Sequence, residues 1–120
     1  MDSKHILIID DDLELCEELT DLLESEGFSV RCATDGVLGE ELIKNNSYNT
    51  IILDYKMPKH SGIDILKKLK AEGIKKKIIL FTGRPHVEKQ LKDEGLLDMV
   101  SALLEKPVNF AKLLVKVRLP

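Results

Sequence analysis

Apolar and polar positions alternate along this chain in two rhythms. Residues 50–53 (TIIL) and 78–81 (IILF) are short continuous apolar runs, and residues 4–9 (KHILII) end in another. Runs of this length predict strands buried on both faces. Phe28, Val30 and Cys32 alternate with polar residues, which predicts a short strand at a sheet edge. Leu103 and Leu104 mark a fifth strand. Between the runs, apolar residues return every three or four positions. Leu15, Leu19, Leu22 and Leu23 share a stripe of a helix predicted over 12–26, with Gly27 as its stop. Four more helices are predicted over 36–45, 62–72, 87–100 (interrupted near Gly95) and 110–117. Strict alternation of strand and helix argues a parallel sheet covered by helices on both faces, hence an α/β fold.

Composition sharpens this reading. The chain has 120 residues, enough for one domain with a real core; with aromatics at 4% and no Trp, that core is mostly Leu, Ile and Val. A net charge of −3 does not point to nucleic acid or membrane. The charge is uneven, however. Residues 1–54 carry 14 acids against 3 bases, and residues 55–120 carry 7 against 15. Two solvated faces account for that imbalance; a cation or basic partner on the acidic side is the sharper reading. Lys75, Lys76 and Lys77 precede the fourth strand and read as a solvated turn. Cys16 and Cys32 lack metal or redox spacing, so both are expected as buried free thiols in a reducing compartment. No signal-peptide pattern or transmembrane run is present, and a cytoplasmic, soluble protein is expected.

The candidate chemistry lies where strands end. Asp54 closes the third apolar run, just before a Met57-Pro58 turn. Asp10, Asp11 and Asp12 follow the first strand, Thr82 the fourth and Lys106 the fifth. Open parallel sheets bind ligands at this edge. Gathered carboxylates repel unless a cation neutralises them, and a set of hard oxygen ligands without His or Cys suits Mg²⁺. Helix capping by Asp11 or Asp12 explains one of these acids, not all. Lys106 can reach over the acids, and the Thr82 hydroxyl can donate to an incoming oxyanion.

With these residues in this order, the chain resembles a response-regulator receiver domain of two-component signalling over residues 1–120. The resemblance implies a flavodoxin-like, doubly wound sheet of order 2-1-3-4-5. It further implies Asp54 as phosphoacceptor and Mg²⁺ bound by Asp11, Asp54 and the Lys56 carbonyl, with Asp10 acting mostly through water. Thr82 and Lys106 would contact the phosphoryl group. The implied donor is a histidine kinase or histidine phosphotransfer protein. A downstream protein target would read a surface around the fourth helix, fifth strand and fifth helix, with no direct nucleic-acid or membrane contact.

Leu103 departs from the family pattern, which usually has an aromatic there, so a repacking must replace the usual ring movement. Lys56 and Arg84, both basic, flank the acceptor and are expected to attract phosphate-bearing partners and slow hydrolysis. Residues 95–102 (GLLDMVSA) are unusually apolar, which fits a helix packed on the core or a contact with a partner or a second copy of the domain. The chain ends after the fifth helix, as a single-domain regulator or a receiver cut from a longer protein would. Two other readings stand beside the signalling module, which is not expected to be an enzyme. One is a pseudo-receiver that is never phosphorylated. The other is a small Mg²⁺-dependent phosphatase, disfavoured because Asp10-Asp11-Asp12 lacks the Asp-x-Asp-x-Thr spacing. Neither G-x-G-x-x-G nor a phosphate-binding G-x-x-x-x-G-K-[ST] loop occurs, and His5, His60 and His86 are not spaced as metal ligands.

Overall fold

A computed structural model describes residues 4–45, 48–57 and 60–120. Five parallel strands form one sheet: β1 (His5–Ile9), β2 (Ser29–Ala33), β3 (Thr50–Asp54), β4 (Ile78–Thr82) and β5 (Ala102–Glu105). Their order is β2-β1-β3-β4-β5, as the resemblance implied. The connecting helices are α1 (Leu13–Ser25), α2 (Gly36–Asn45), α3 (Gly62–Ala71), α4 (Val87–Asp93) and α5 (Phe110–Arg118).

Alternate residues of the central strands feed two separate cores, which is why their sequences are continuously apolar. Leu7, Ile9, Ile51, Leu53, Ile78 and Leu80 pack under α2, α3 and α4. Ile6, Ile8, Ile52, Ile79 and Phe81 pack under α1 and α5 with Leu19, Leu23, Leu113 and Val117. β2 pairs on one side only, and its polar alternation follows from that edge position.

Helix ends obey local chemistry. Asp12 is the α1 N-cap, its carboxylate accepting from the Leu15 amide at 3.1 Å. Gly27 follows α1 at a φ of 96°, a conformation open to glycine. Ser61 and Asp64 form a reciprocal capping box on α3.

Three expectations are corrected. The fourth helix does not run over 87–100. It stops at Asp93, Gly95 takes a φ of 69°, and a 3₁₀ turn (Leu97–Met99) follows. That turn drives Leu96 and Met99 into the core and leaves Leu97 exposed, which absorbs most of the apolar segment. Lys77 is not a solvated turn residue. It is half-buried and donates to the carbonyls of Val117 and Leu119, covering the C-terminal end of α5. Cys16 and Cys32 are not free thiols. The first turn of α1 lies across β2 with the two Cα atoms 6.3 Å apart, and a disulfide joins them. Pro58, in the expected turn after Asp54, lies outside the described residues.

Candidate functional site

Strand register builds the site. Ile9 pairs with Leu53, so Asp10 emerges beside Asp54 at the carboxyl end of β3. Thr82 pairs with Glu105, which brings the next residue, Lys106, to the same edge. The Lys106 amide donates to the Thr82 carbonyl at 2.7 Å, tying the ends of β4 and β5 together. Asp10, Asp11 and Asp54 offer carboxylate oxygens within 4.8 Å of one another. The Lys106 ammonium sits over two of them, 3.1 Å from Asp10 Oδ2 and 3.1 Å from Asp54 Oδ1.

Each acid has a different setting. Asp10 is 1% exposed and already engaged: Oδ1 accepts from the Asp12 amide at 3.0 Å, and Oδ2 accepts from Lys106. Asp11 is exposed at the mouth. Asp54 is 5% exposed. Burial, then the neighbouring Asp10 charge, pushes its carboxyl up to about 6, and Lys106 offsets this only in part. For Lys106 itself burial works the other way, but Asp10 and Asp54 outweigh it and raise its pKa.

Thr82 is buried at the end of β4, yet its hydroxyl is turned into its own loop. It accepts from the Arg84 amide at 2.9 Å and donates to the Arg84 carbonyl at 3.4 Å. Lys56 is exposed and shares with Arg84 a cavity of about 270 Å³ that Tyr55, Ser61 and Lys67 also line. Leu103 is half-buried on β5 and packs against the core under α4. Gly62 holds the loop after Asp54 close to the strand. Its amide donates to the Tyr55 carbonyl at 2.9 Å, and a Cβ there would come 2.5 Å from the Asp54 carbonyl oxygen.

Sequence reasoning missed a second charged cluster. Glu40 on α2 is nearly buried and gathers Lys44 at 3.0 Å, His60 at 2.6 Å and Lys68 at 3.3 Å. Burial would raise the Glu40 carboxyl, but Lys44, His60 and Lys68 outweigh it and hold it at about 2. Only the Glu40–Lys44 spacing could have been read locally, because His60 and Lys68 arrive from the β3–α3 loop and from α3.

The fold and the site define a flavodoxin-like α/β domain with an acidic crevice at the carboxyl edge of its sheet, bridged by one lysine. The chain belongs to the response regulator receiver domain family, whose model matches residues 6–118. It is 34% identical over 114 residues to the response regulator MprA of a Mycobacterium species (strain KMS), covering 95% of this chain and 49% of that protein. The chain thus spans about half the length of the curated relatives it matches. Among solved structures, the receiver domain of the Francisella response regulator 1452 superposes with a TM-score of 0.86 at 30% identity, covering 96% of this chain and 93% of that one. The response regulator TrrA of Thermotoga maritima, solved in complex with Mg(2+)-BeF, superposes at 0.83 with 29% identity, covering 96% of each chain.

Proposed function

We propose that Asp54 accepts a phosphoryl group from a phosphohistidine donor, a histidine kinase or histidine phosphotransfer protein. The observation that carries this reading is the Asp54 carboxylate, buried at a strand end, sharing one ammonium with Asp10. An Asp54 oxygen bonds to phosphorus as the donor's P–N bond breaks, and the departing imidazole nitrogen takes a proton from water. Lys106 stays within reach of the new acyl phosphate and offsets its charge. Thr82 exchanges its contacts with Arg84 for one to a phosphoryl oxygen.

The donor set fits Mg²⁺: three carboxylates gathered within 4.8 Å, with no sulfur or imidazole among them. Asp11, Asp54 and the Lys56 carbonyl are the proposed ligands. Asp10, whose oxygens are already engaged, acts through water. Once bound, the ion supplies the positive charge that lets an anionic phosphoryl group approach anionic Asp54.

The module is a switch and not a turnover catalyst. Withdrawal of the Thr82 hydroxyl from its loop biases the packing of α4 and β5, with Leu103 repacking where a ring would turn, so that a downstream protein target reads the α4–β5–α5 surface. The complete site at Asp10, Asp11, Asp54, Thr82 and Lys106 favours this over a pseudo-receiver. Acetyl phosphate with Mg²⁺, followed by intact mass, tests the proposal. One phosphoryl adduct is expected, and none on Asp54→Ala. An unmodified wild type would overturn it in favour of the pseudo-receiver, and steady turnover of phosphate esters in favour of the phosphatase.

A further inference from the structure

Two cysteines that the phosphoacceptor chemistry does not use lie directly behind the acidic crevice. Cys16 sits in the first turn of α1 and is 1% exposed. Cys32 sits on the edge strand β2, opposite Ile8 of β1, and is half-buried. A cavity of about 300 Å³ opens onto the pair between Leu13, Glu17, Thr20 and Asp21. The Cys16 sulfur also lies 3.4 Å from the backbone carbonyl oxygen of Asp10, and the Asp10 amide donates to the Ala33 carbonyl at 3.1 Å. The turn carrying Asp10, Asp11 and Asp12 is therefore held to β2 at one end by that hydrogen bond and at the other by the link between Cys16 and Cys32.

We propose that Cys16 and Cys32 form a reversible thiol–disulfide site that clamps the acid-bearing turn onto β2. Its co-reactant is a low-molecular-weight disulfide of the glutathione class. The Cys32 thiol, reached through the cavity, releases its proton to water, and the thiolate attacks one sulfur of the small disulfide. That S–S bond breaks and one small thiolate leaves, to be protonated by water. Cys16 then loses its proton, attacks the Cys32 sulfur and displaces the second small thiolate, which is protonated in turn. One external disulfide is reduced to two thiols, and the protein dithiol is oxidised to a disulfide.

The two states differ at the crevice as well as at the sulfurs. Reduced Cys16 carries an S–H that can donate to the Asp10 carbonyl, whereas the oxidised sulfur has no proton to give. Oxidation thus exchanges a weak hydrogen bond for a covalent tie across the base of the acidic turn. The inference does not depend on phosphorylation of Asp54.

The test uses the full chain, without phosphodonor or metal, equilibrated in reduced and then in oxidised glutathione. Intact mass should show loss of two hydrogens with no glutathione retained, reversed by reductant. Amide exchange of residues 10–16 should slow several-fold on oxidation and be insensitive to it in Cys32→Ala and in Cys16→Ala. Circular dichroism of both variants establishes that they are folded. Two free thiols persisting in oxidised buffer would overturn the site, as would a glutathione adduct that Cys16 does not displace. A disulfide that leaves exchange at 10–16 unchanged would overturn the clamp.

Discussion

Replacing Asp54 by Asn should make the metal-free domain more stable at neutral pH, even though it removes the group on which the proposed function depends. The buried Asp54 carboxylate faces Asp10 and Asp11, and it shares with Asp10 a single ammonium, 3.1 Å from each. Its carboxyl therefore stands at about 6, against an ordinary 3.8, with burial the largest cause. That displacement corresponds to a penalty of roughly 3 kcal/mol on the ionised form at pH 7. Between pH 4 and 6 the folded chain holds a proton that the unfolded chain has released. Stability therefore falls as pH rises through this window, with no penalty below about 4 and the full penalty above about 6. Asn resembles the protonated carboxyl in shape and charge and escapes the penalty. Urea unfolding in a chelator from pH 4 to 8 should give matching stabilities at pH 4 and an advantage of about 2–3 kcal/mol for Asp54→Asn at pH 7.5. Added Mg²⁺ should narrow that gap by stabilising the wild type alone. Parallel pH profiles, or a variant less stable than wild type at pH 7.5, would refute the electrostatic account of the crevice.

Two further outcomes follow from other charges. Glu40→Gln should cost about 1–2 kcal/mol near neutral pH, discounted because Lys44 and Lys68 are partly solvated. Glu40 is held at about 2, so its contribution is present above about pH 4.5 and is lost as pH falls through about 2; acid titration of wild type against Glu40→Gln, followed by circular dichroism, checks both sign and window. Lys56→Asn combined with Arg84→Ala should shorten the lifetime of phospho-Asp54 several-fold, as followed by loss of the adduct in intact mass. An unchanged lifetime would mean that the cavity these two residues share does not shield the acyl phosphate.

The parallel sheet and the crevice at its edge were legible because both depend on periodicity that is local in sequence, whereas the strand order came only from the family resemblance. Ile51, Ile52 and Leu53 can be continuously apolar only if helices cover both sheet faces, and a parallel sheet then aligns all strand ends at one edge. Thr82 could be placed at that edge, but the direction of its hydroxyl could not, because Arg84 competes for it through a local turn. The end of α4 was harder to read. Gly95 marked an interruption, but Leu91, Leu96 and Met99 keep an apolar rhythm past Asp93, and only the backbone shows that the helix ends there and a 3₁₀ turn follows. Lys77 and the two cysteines were misread for a shared reason: their partners are tertiary. Nothing near residue 77 shows that the α5 carbonyls lie within its reach, and a pairing between residues 16 and 32 has no spacing signature.

Two of the buried acids, Glu40 and Asp54, bring out the logic of the crevice. Glu40 recruits Lys44, His60 and Lys68 and is held ionised far below its ordinary pKa. Asp54 is as buried, yet it shares Lys106 with Asp10, has Asp11 at its mouth, and is pushed up. The chain does not lack bases: residues 55–120 carry 15 of them, and Lys56 and Arg84 lie on the neighbouring loops. Neither is paired with Asp54 as Lys106 is; they line a separate cavity. A site selected for stability alone would have neutralised Asp54 as α2 and α3 neutralise Glu40. Leaving it short of positive charge keeps the carboxylate poorly solvated, and an external cation is the group that completes it. On this view the instability at Asp54 and the proposed chemistry have the same origin, and a second lysine placed beside Asp54 should relieve the first while weakening the need for Mg²⁺ that the second implies.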